Sequence, residues 1–207
     1  TPNVVRLPAD EVLPWDELVP DQGVVAERLG ALFHLGQGTR FPALVLSARA
    51  LAKRLVPPKV MDGLSELVGL EQDVGRDALA RKLTEIGYRN APLVEDPGTF
   101  SLRGDILDVF PALHEHPVRL EFFGDTVESM RSFDPDTQRT LGGLTSLTLL
   151  PARELFFSTA TKRQAELAIK AAAELQHVPS SKVRERLEQV REGISAAGLE
   201  GLLPGFF

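Results

Sequence analysis

The chain has 207 residues, 43% of them hydrophobic, with no cysteine and a formal net charge of −6, which is enough apolar content to bury a core in one large domain or two ordinary ones. The missing cysteines exclude disulfides and thiolate metal sites and fit a reducing cytoplasm. The negative balance argues against unassisted binding to a phosphate backbone, which depends on a basic surface that releases counterions. No apolar run of about 18 residues and no basic-then-apolar leader occurs, so nothing places the chain in or across a membrane and a cytoplasmic location is expected.

Residues 4–7 read as a short strand, and the Pro-studded Leu13-Pro14-Trp15-Asp16-Glu17-Leu18-Val19-Pro20 cannot hold regular structure for long. Asp21 then caps a helix in which Val25, Leu29, Leu32 and Phe33 recur at helical spacing, with Gly36 as its stop. Residues 43–46 form a fully apolar strand, Ser47 caps a helix over 48–55, and Pro57-Pro58 end it. Strands alternating with helices predict parallel pairing and a buried sheet. A strand at 66–70 and a helix over 76–86 follow, the helix with Leu79, Leu83 and Ile86 on one face and Gly87 at its end. Residues 100–103, 106–110, 118–123 and 127–133 read as strands, with Gly124-Asp125 as a tight turn, which predicts an antiparallel meander beside one helix. Beyond 151 the pattern returns to helix. Thr161-Lys162-Arg163-Gln164 reads as a capping box, and Val183, Leu187, Val190 and Ile194 form a stripe that ends at Gly198. Both ends read as cut from something longer, since Phe206 and Phe207 stand on a terminal tail.

The expected fold is therefore α/β plus α+β. Residues 1–62 read as part of a parallel-sheet domain, 63–151 as an antiparallel β-meander and helix module, and 152–207 as C-terminal helices.

The motifs of common catalytic and metal sites are absent or incomplete. A nucleotide-hydrolysing site needs a Gly-rich loop followed by Lys and Ser or Thr, and no Gly-Lys dipeptide occurs. The pairs Asp10-Glu11 and Asp16-Glu17 read as solvated loop charges. His114-Glu115-His116 offers two close imidazoles without the further ligands of a structural zinc site, and reads as a polar hairpin loop. No Gly-x-Ser-x-Gly elbow is present. No cofactor, metal or catalytic residue is expected, and the chain does not read as an enzyme.

One face does stand out. In Val118-Arg119-Leu120-Glu121-Phe122-Phe123, alternation sends Val118, Leu120 and Phe122 inward and Arg119, Glu121 and Phe123 outward. On the preceding strand Phe100 and Leu102 point inward, which turns Arg103 outward. Phe123 is expected near Asp105 and within roughly 8 Å of Arg103, and about 13 Å from Arg119 along its own strand. An aromatic flanked by arginines on a polar face has the composition of a protein-binding hot spot. The same pattern is compatible with Phe123 covered by a loop or by the helix over 76–86, and with both arginines merely paired to Glu121 and Asp105. If the face is a binding surface, truncating its residues is expected to leave stability nearly unchanged.

The segment Pro97-Gly98-Thr99-Phe100-Ser101-Leu102-Arg103-Gly104-Asp105-Ile106-Leu107-Asp108-Val109-Phe110-Pro111 resembles a strand pair shared by UvrB and the bacterial transcription-repair coupling factors (Mfd). Arg119-Leu120-Glu121-Phe122-Phe123-Gly124-Asp125 and Ser132-Phe133-Asp134-Pro135-Asp136-Thr137-Gln138-Arg139-Thr140 are similar to the continuation of that module. The resemblance runs from about Leu13 to Ala152 and weakly into Leu203-Pro204-Gly205-Phe206-Phe207. It favours the coupling factors over UvrB, because UvrB's tyrosine-rich DNA hairpin is replaced by 13–20 and Tyr88 is the sole tyrosine. Asp105 departs toward UvrB. The resemblance implies a partial helicase-like, UvrB-like domain over 1–62, a UvrA-binding domain over 63–151 and a helical return over 152–207. It implies that the module recruits UvrA to stalled RNA polymerase by mimicking UvrB, with Arg103, Arg119 and Phe123 making the contact. RNA polymerase, DNA and ATP would be bound by other domains of the longer protein, one of which, C-terminal, masks the UvrA-binding face. The competing reading is a fragment of a UvrB-type DNA-processing helicase that itself contacts DNA through stacking aromatics.

Overall fold

The computed structural model describes residues 4–9, 15, 18–52, 55–194, 198–199 and 201. The expectations for Phe206, Phe207, most of 13–17 and the helix end at 53–54 lie outside those residues.

The first strand, β1 (Val4–Leu7), pairs in parallel with β2 (Ala43–Leu46), Val5 facing Leu44 in register. Between them runs α1 (Gln22–Gly36), whose cap Asp21 accepts the Val24 N–H at 3.0 Å as expected of an N-cap carboxylate. The short α2 (Ala48–Ala52) starts where the Ser47 hydroxyl accepts the Ala50 N–H at 3.1 Å. Pro57-Pro58 do more than end a helix. Pro58 opens α3 (Pro58–Leu64), because the first helical position needs no N–H and suits the fixed φ of proline. Val5, Leu7, Leu29 and Met61 bury one face of the parallel pair against α1 and α3. The other face is open, with Val4 and Val45 half exposed, so the pair is covered on one side rather than on both.

The mixed α/β character continues as β3 (Glu66–Gly69), α4 (Arg76–Glu85), β4 (Arg89–Asn90), β5 (Thr99–Arg103), β6 (Ile106–Val109), β7 (Val118–Phe123), β8 (Thr126–Phe133), β9 (Thr140–Gly143) and β10 (Ser146–Leu149). Strands β4 to β9 form one six-stranded sheet in sequence order, antiparallel except for the β4–β5 pair, while β3 and β10 make a separate antiparallel pair. The predicted four-strand meander is thus widened by β4 and β9. Helix α4 lays Leu79 and Leu83, followed by Ile86, onto Phe100, Leu107 and Leu120, the inward residues of the central strands. Gly87, at φ +100°, lies against Arg153 so closely that a Cβ there would stand 2.6 Å from Arg153 Cγ.

Two helices follow, α5 (Thr159–Gln176) and α6 (Ser180–Glu192). The capping box sits one turn earlier than the sequence suggested: Ser158 is the cap and Thr161 its third-position partner. Helix α6 ends at Gly193 in the left-handed conformation, so Ile194 falls beyond it, half exposed, and only Val183, Leu187 and Val190 of the expected stripe pack inward. Trp15 joins Leu155, Ile169 and Val190 in this helical cluster.

The segment after β10 ties these parts together. Arg28 of α1, fully buried, donates to Glu154 at 2.9 and 3.4 Å and to the Pro8 carbonyl at 2.6 Å. The Tyr88 hydroxyl donates to the Leu150 carbonyl at 2.9 Å, and the Ala152 N–H to the Ile86 carbonyl at 2.9 Å. Burial raises the Tyr88 hydroxyl well above its ordinary value.

Breaking a buried ion pair by removing one partner leaves an uncompensated charge. Glu154→Ala is therefore expected to cost about 3–5 kcal/mol in urea denaturation, whereas Glu166→Ala, which breaks an exposed pair with Arg191, leaves the midpoint almost unmoved. A group whose acidity falls on folding contributes stability that is complete below its unfolded value and lost as pH rises through the folded one. Tyr88 should thus make the chain lose stability above about pH 10, and Tyr88→Phe should flatten that alkaline slope in thermal melts.

Candidate protein-binding site

The outer face of the six-stranded sheet is assembled by register. Asp108 on β6 stands directly opposite Ser101 on β5 and Arg119 on β7, while Arg103 stands opposite Ile106, which stands opposite Glu121. Val118, Leu120 and Phe122 are buried, and Arg119 and Glu121 are partly exposed on the other side, as alternation requires. Phe123 is 78% exposed, and neither a loop nor α4 covers it.

The arginines are paired, though not with Glu121 or Asp105. Both converge on Asp108, whose carboxylate is 1% exposed. Arg119 donates from Nε to Oδ1 at 2.7 Å and from Nη2 to Oδ2 at 2.8 Å, a bidentate pairing. Arg103 donates through Nη2 to the same Oδ2. Arg119 also donates to Gln138 Oε1 at 3.2 Å and lies over the Phe133 ring at 4.7 Å, and its guanidinium is held further above its ordinary value chiefly by the hydrogen bond to Asp108. Glu121 instead accepts from Arg131 and, at 3.0 Å, from the Ser129 hydroxyl.

Glycines at positive φ, Gly104 and Gly124, make the β5–β6 and β7–β8 turns at the same end of the sheet. That end is braced from outside. The Val74 and Gly75 N–H groups donate to the Asp125 carbonyl at 3.1 and 3.0 Å, Thr126 bonds to Asp73, Arg76 donates to the Gly104 carbonyl, and the Phe122 N–H reaches the Asp105 carbonyl at 2.8 Å. A bulge in β8 between the partners of Glu121 and Phe122 adds Glu128 without disturbing β7. Because β6 separates β5 from β7, the backbone positions of Arg103 and Phe123 are about 12 Å apart, two strand spacings across and two residues along. That is wider than the roughly 8 Å expected for a hairpin diagonal. Both guanidiniums turn to Asp108, toward the middle of the strands, so they share the outer face with Phe123 while the ring stands apart at the turn end.

Two residues of this arrangement were missed. Asp108 is the charged residue in an otherwise apolar strand, the signal of a buried ion pair. Gln138, at φ +60°, is set by a tight turn in which the Asp134 carboxylate accepts from Asp136 N–H, Thr137 N–H and the Thr137 hydroxyl. Among the described residues no group of three or more His, Asp or Glu stands close enough to hold a metal, and no helix is long and apolar enough to cross a membrane. His114, in the loop between β6 and β7, is lowered from its ordinary value by burial.

Residues 68–155 match the family described as UvrB interaction domain. The whole chain is similar to transcription-repair-coupling factors: 59% identical over 206 residues to that of Myxococcus xanthus, covering 100% of the chain, and 33% identical over 204 residues to that of Escherichia coli, covering 99%. The factor of Bacillus subtilis is 34% identical over 89% of the chain. The chain belongs to the transcription-repair-coupling factors. It spans 16–17% of the length of these relatives. The part that matches the UvrB interaction domain includes α4, β4 to β10 and every residue of the outer-face patch.

In this coupling-factor region, exposure and burial predict opposite stability effects. Phe123→Ala should change stability by no more than about 0.5 kcal/mol, while Leu120→Ala, which opens a cavity, should cost about 2–5 kcal/mol in the same denaturation series. Arg119→Ala corrects the expectation that outward truncations are silent. It strips two hydrogen bonds from a buried carboxylate and should cost about 1–3 kcal/mol.

Proposed function

We infer that Arg103, Arg119 and Phe123 bind UvrA, and that the longer coupling factor uses this face, as UvrB uses its own, to recruit UvrA to stalled RNA polymerase. The observation that carries the reading is Phe123: a large aromatic left almost bare at the end of a braced hairpin, on the same sheet face as two guanidiniums held by Asp108. Aromatics and arginines are the side chains that dominate hot spots, the ring by filling a pocket and the guanidinium by charge-assisted bonds to carboxylates. The UvrB interaction domain match spans all three residues and supports the same partner.

The division of the chain at 62/63 and 151/152 belongs to this reading. It is supported by separate apolar clusters around α1, around the sheet and around α5 and α6. In the whole protein, ATP-driven movement on DNA and contact with RNA polymerase fall to other segments, and a C-terminal domain covers the UvrA-binding face until the factor is engaged.

Calorimetric titration of the chain with UvrA tests this. Phe123→Ala and Arg103→Ala should each weaken binding by about 2 kcal/mol or more, roughly thirtyfold. Arg119→Glu should be worse than Arg119→Ala, because it sets like charges against each other. Undiminished UvrA binding after all three truncations would overturn the assignment. Tight, salt-sensitive capture of single-stranded DNA in its place would favour the helicase-fragment reading.

A further inference from the structure

We propose that Asp108, although it cannot reach a partner itself, is the positioning residue of this site: one buried carboxylate sets the conformation of both arginines, and Gln138 sets that of Arg119. The inference rests on the reading that Arg103, Arg119 and Phe123 meet UvrA. A free arginine on a sheet surface samples many rotamers, and each must be frozen when a partner binds. Here that ordering is complete beforehand for Arg119, held by both Asp108 oxygens, by Gln138 Oε1 and by the Phe133 ring. Arg103 is held by one bond and its side chain remains 49% exposed.

The bonding also determines what the arginines offer. The Nε and Nη2 edge of Arg119 is turned into the sheet, so Nη1 is its donor without a bond among the described residues. Arg103 keeps Nε and Nη1. Two guanidiniums share one carboxylate, leaving one unit of positive charge on a chain whose balance is −6. Glu121 does not cancel it, since Arg131 and Ser129 occupy that carboxylate. The partner surface that fits is a carboxylate pair spaced to meet Nη1 of Arg119 and the open edge of Arg103, with an apolar pocket for Phe123 further toward the turn end. Gln138 serves the arrangement through its backbone: its left-handed φ, fixed by the N–H bond to the Asp134 carbonyl at 2.8 Å, aims Oε1 at Arg119 while Nε2 is anchored on the Pro135 carbonyl at 2.7 Å.

A positioning role differs from a structural one in where its effect disappears. In titrations of the 207-residue chain with UvrA, Asp108→Asn should weaken binding about tenfold, in the range of couplings within one hydrogen-bonded network. It should do so again on the Phe123→Ala background, yet cause no further loss in a chain already carrying Arg103→Ala and Arg119→Ala. Equal losses on all backgrounds would mean that Asp108 only maintains the fold, and the proposal falls. Gln138→Asn tolerates the left-handed backbone and shortens the reach by one methylene. It should keep the thermal midpoint and weaken binding about threefold, an effect abolished by Arg119→Ala; this variant decides the matter if Asp108→Asn does not fold. Unchanged binding by the Arg103→Ala, Arg119→Ala chain would instead overturn the underlying assignment of the face, and the positioning role with it.

Discussion

A carboxylate without water needs partners, because removing them destabilises the fold or forces the group to take up a proton. Asp108 meets that requirement only if β7 sits with Arg119 opposite it and β5 ends with Arg103 within reach. A slip of β7 by one residue would turn Leu120 outward, send Arg119 into the core and leave Asp108 with Arg103 as its one arginine partner. The constraint that holds the central strands in register is therefore the same one that puts two cations on the outer face. Structure and site are two readings of one ion cluster.

A second buried pair seats the sheet against the helices. Arg28 satisfies its guanidinium with Glu154 and the Pro8 carbonyl, groups from two distant stretches of chain. Compared with well-packed apolar residues such a pair adds little net stability, but separating it is costly. Its effect is to penalise any arrangement in which α1 leaves the segment after β10. Tyr88, just after α4, ties that helix end to the Leu150 carbonyl with a neutral hydrogen bond.

The local patterns of the sequence were reliable where periodicity was strong. Alternation over Val118–Phe123 assigned every side chain of β7 to its correct face, and helical spacing located α1 and α4. What could not be read locally was short or non-local. Strand β4 has two residues, and β9 is Thr-Leu-Gly-Gly, half of it glycine with no strand preference, so both exist only because a neighbouring strand presents its edge. The alternative that pairs the arginines with Glu121 and Asp105 draws on their neighbours in sequence, whereas cross-strand register delivers Asp108 to both and gives Glu121 to Arg131. The start of α3 at Pro58 and the cap at Ser158 were obscured by signals that serve either as stop or as start.

The chain contains one tryptophan and one tyrosine, and the fold sends them to different clusters: Trp15 to the helices with Leu155 and Ile169, Tyr88 to the sheet with Ile86 and Phe100. The two intrinsic chromophores therefore view separate parts of the molecule. Tryptophan emission registers the packing of α5 and α6, and the tyrosine signal registers the sheet that carries the binding face. Coincident transitions from the two would mark the chain as one cooperative unit.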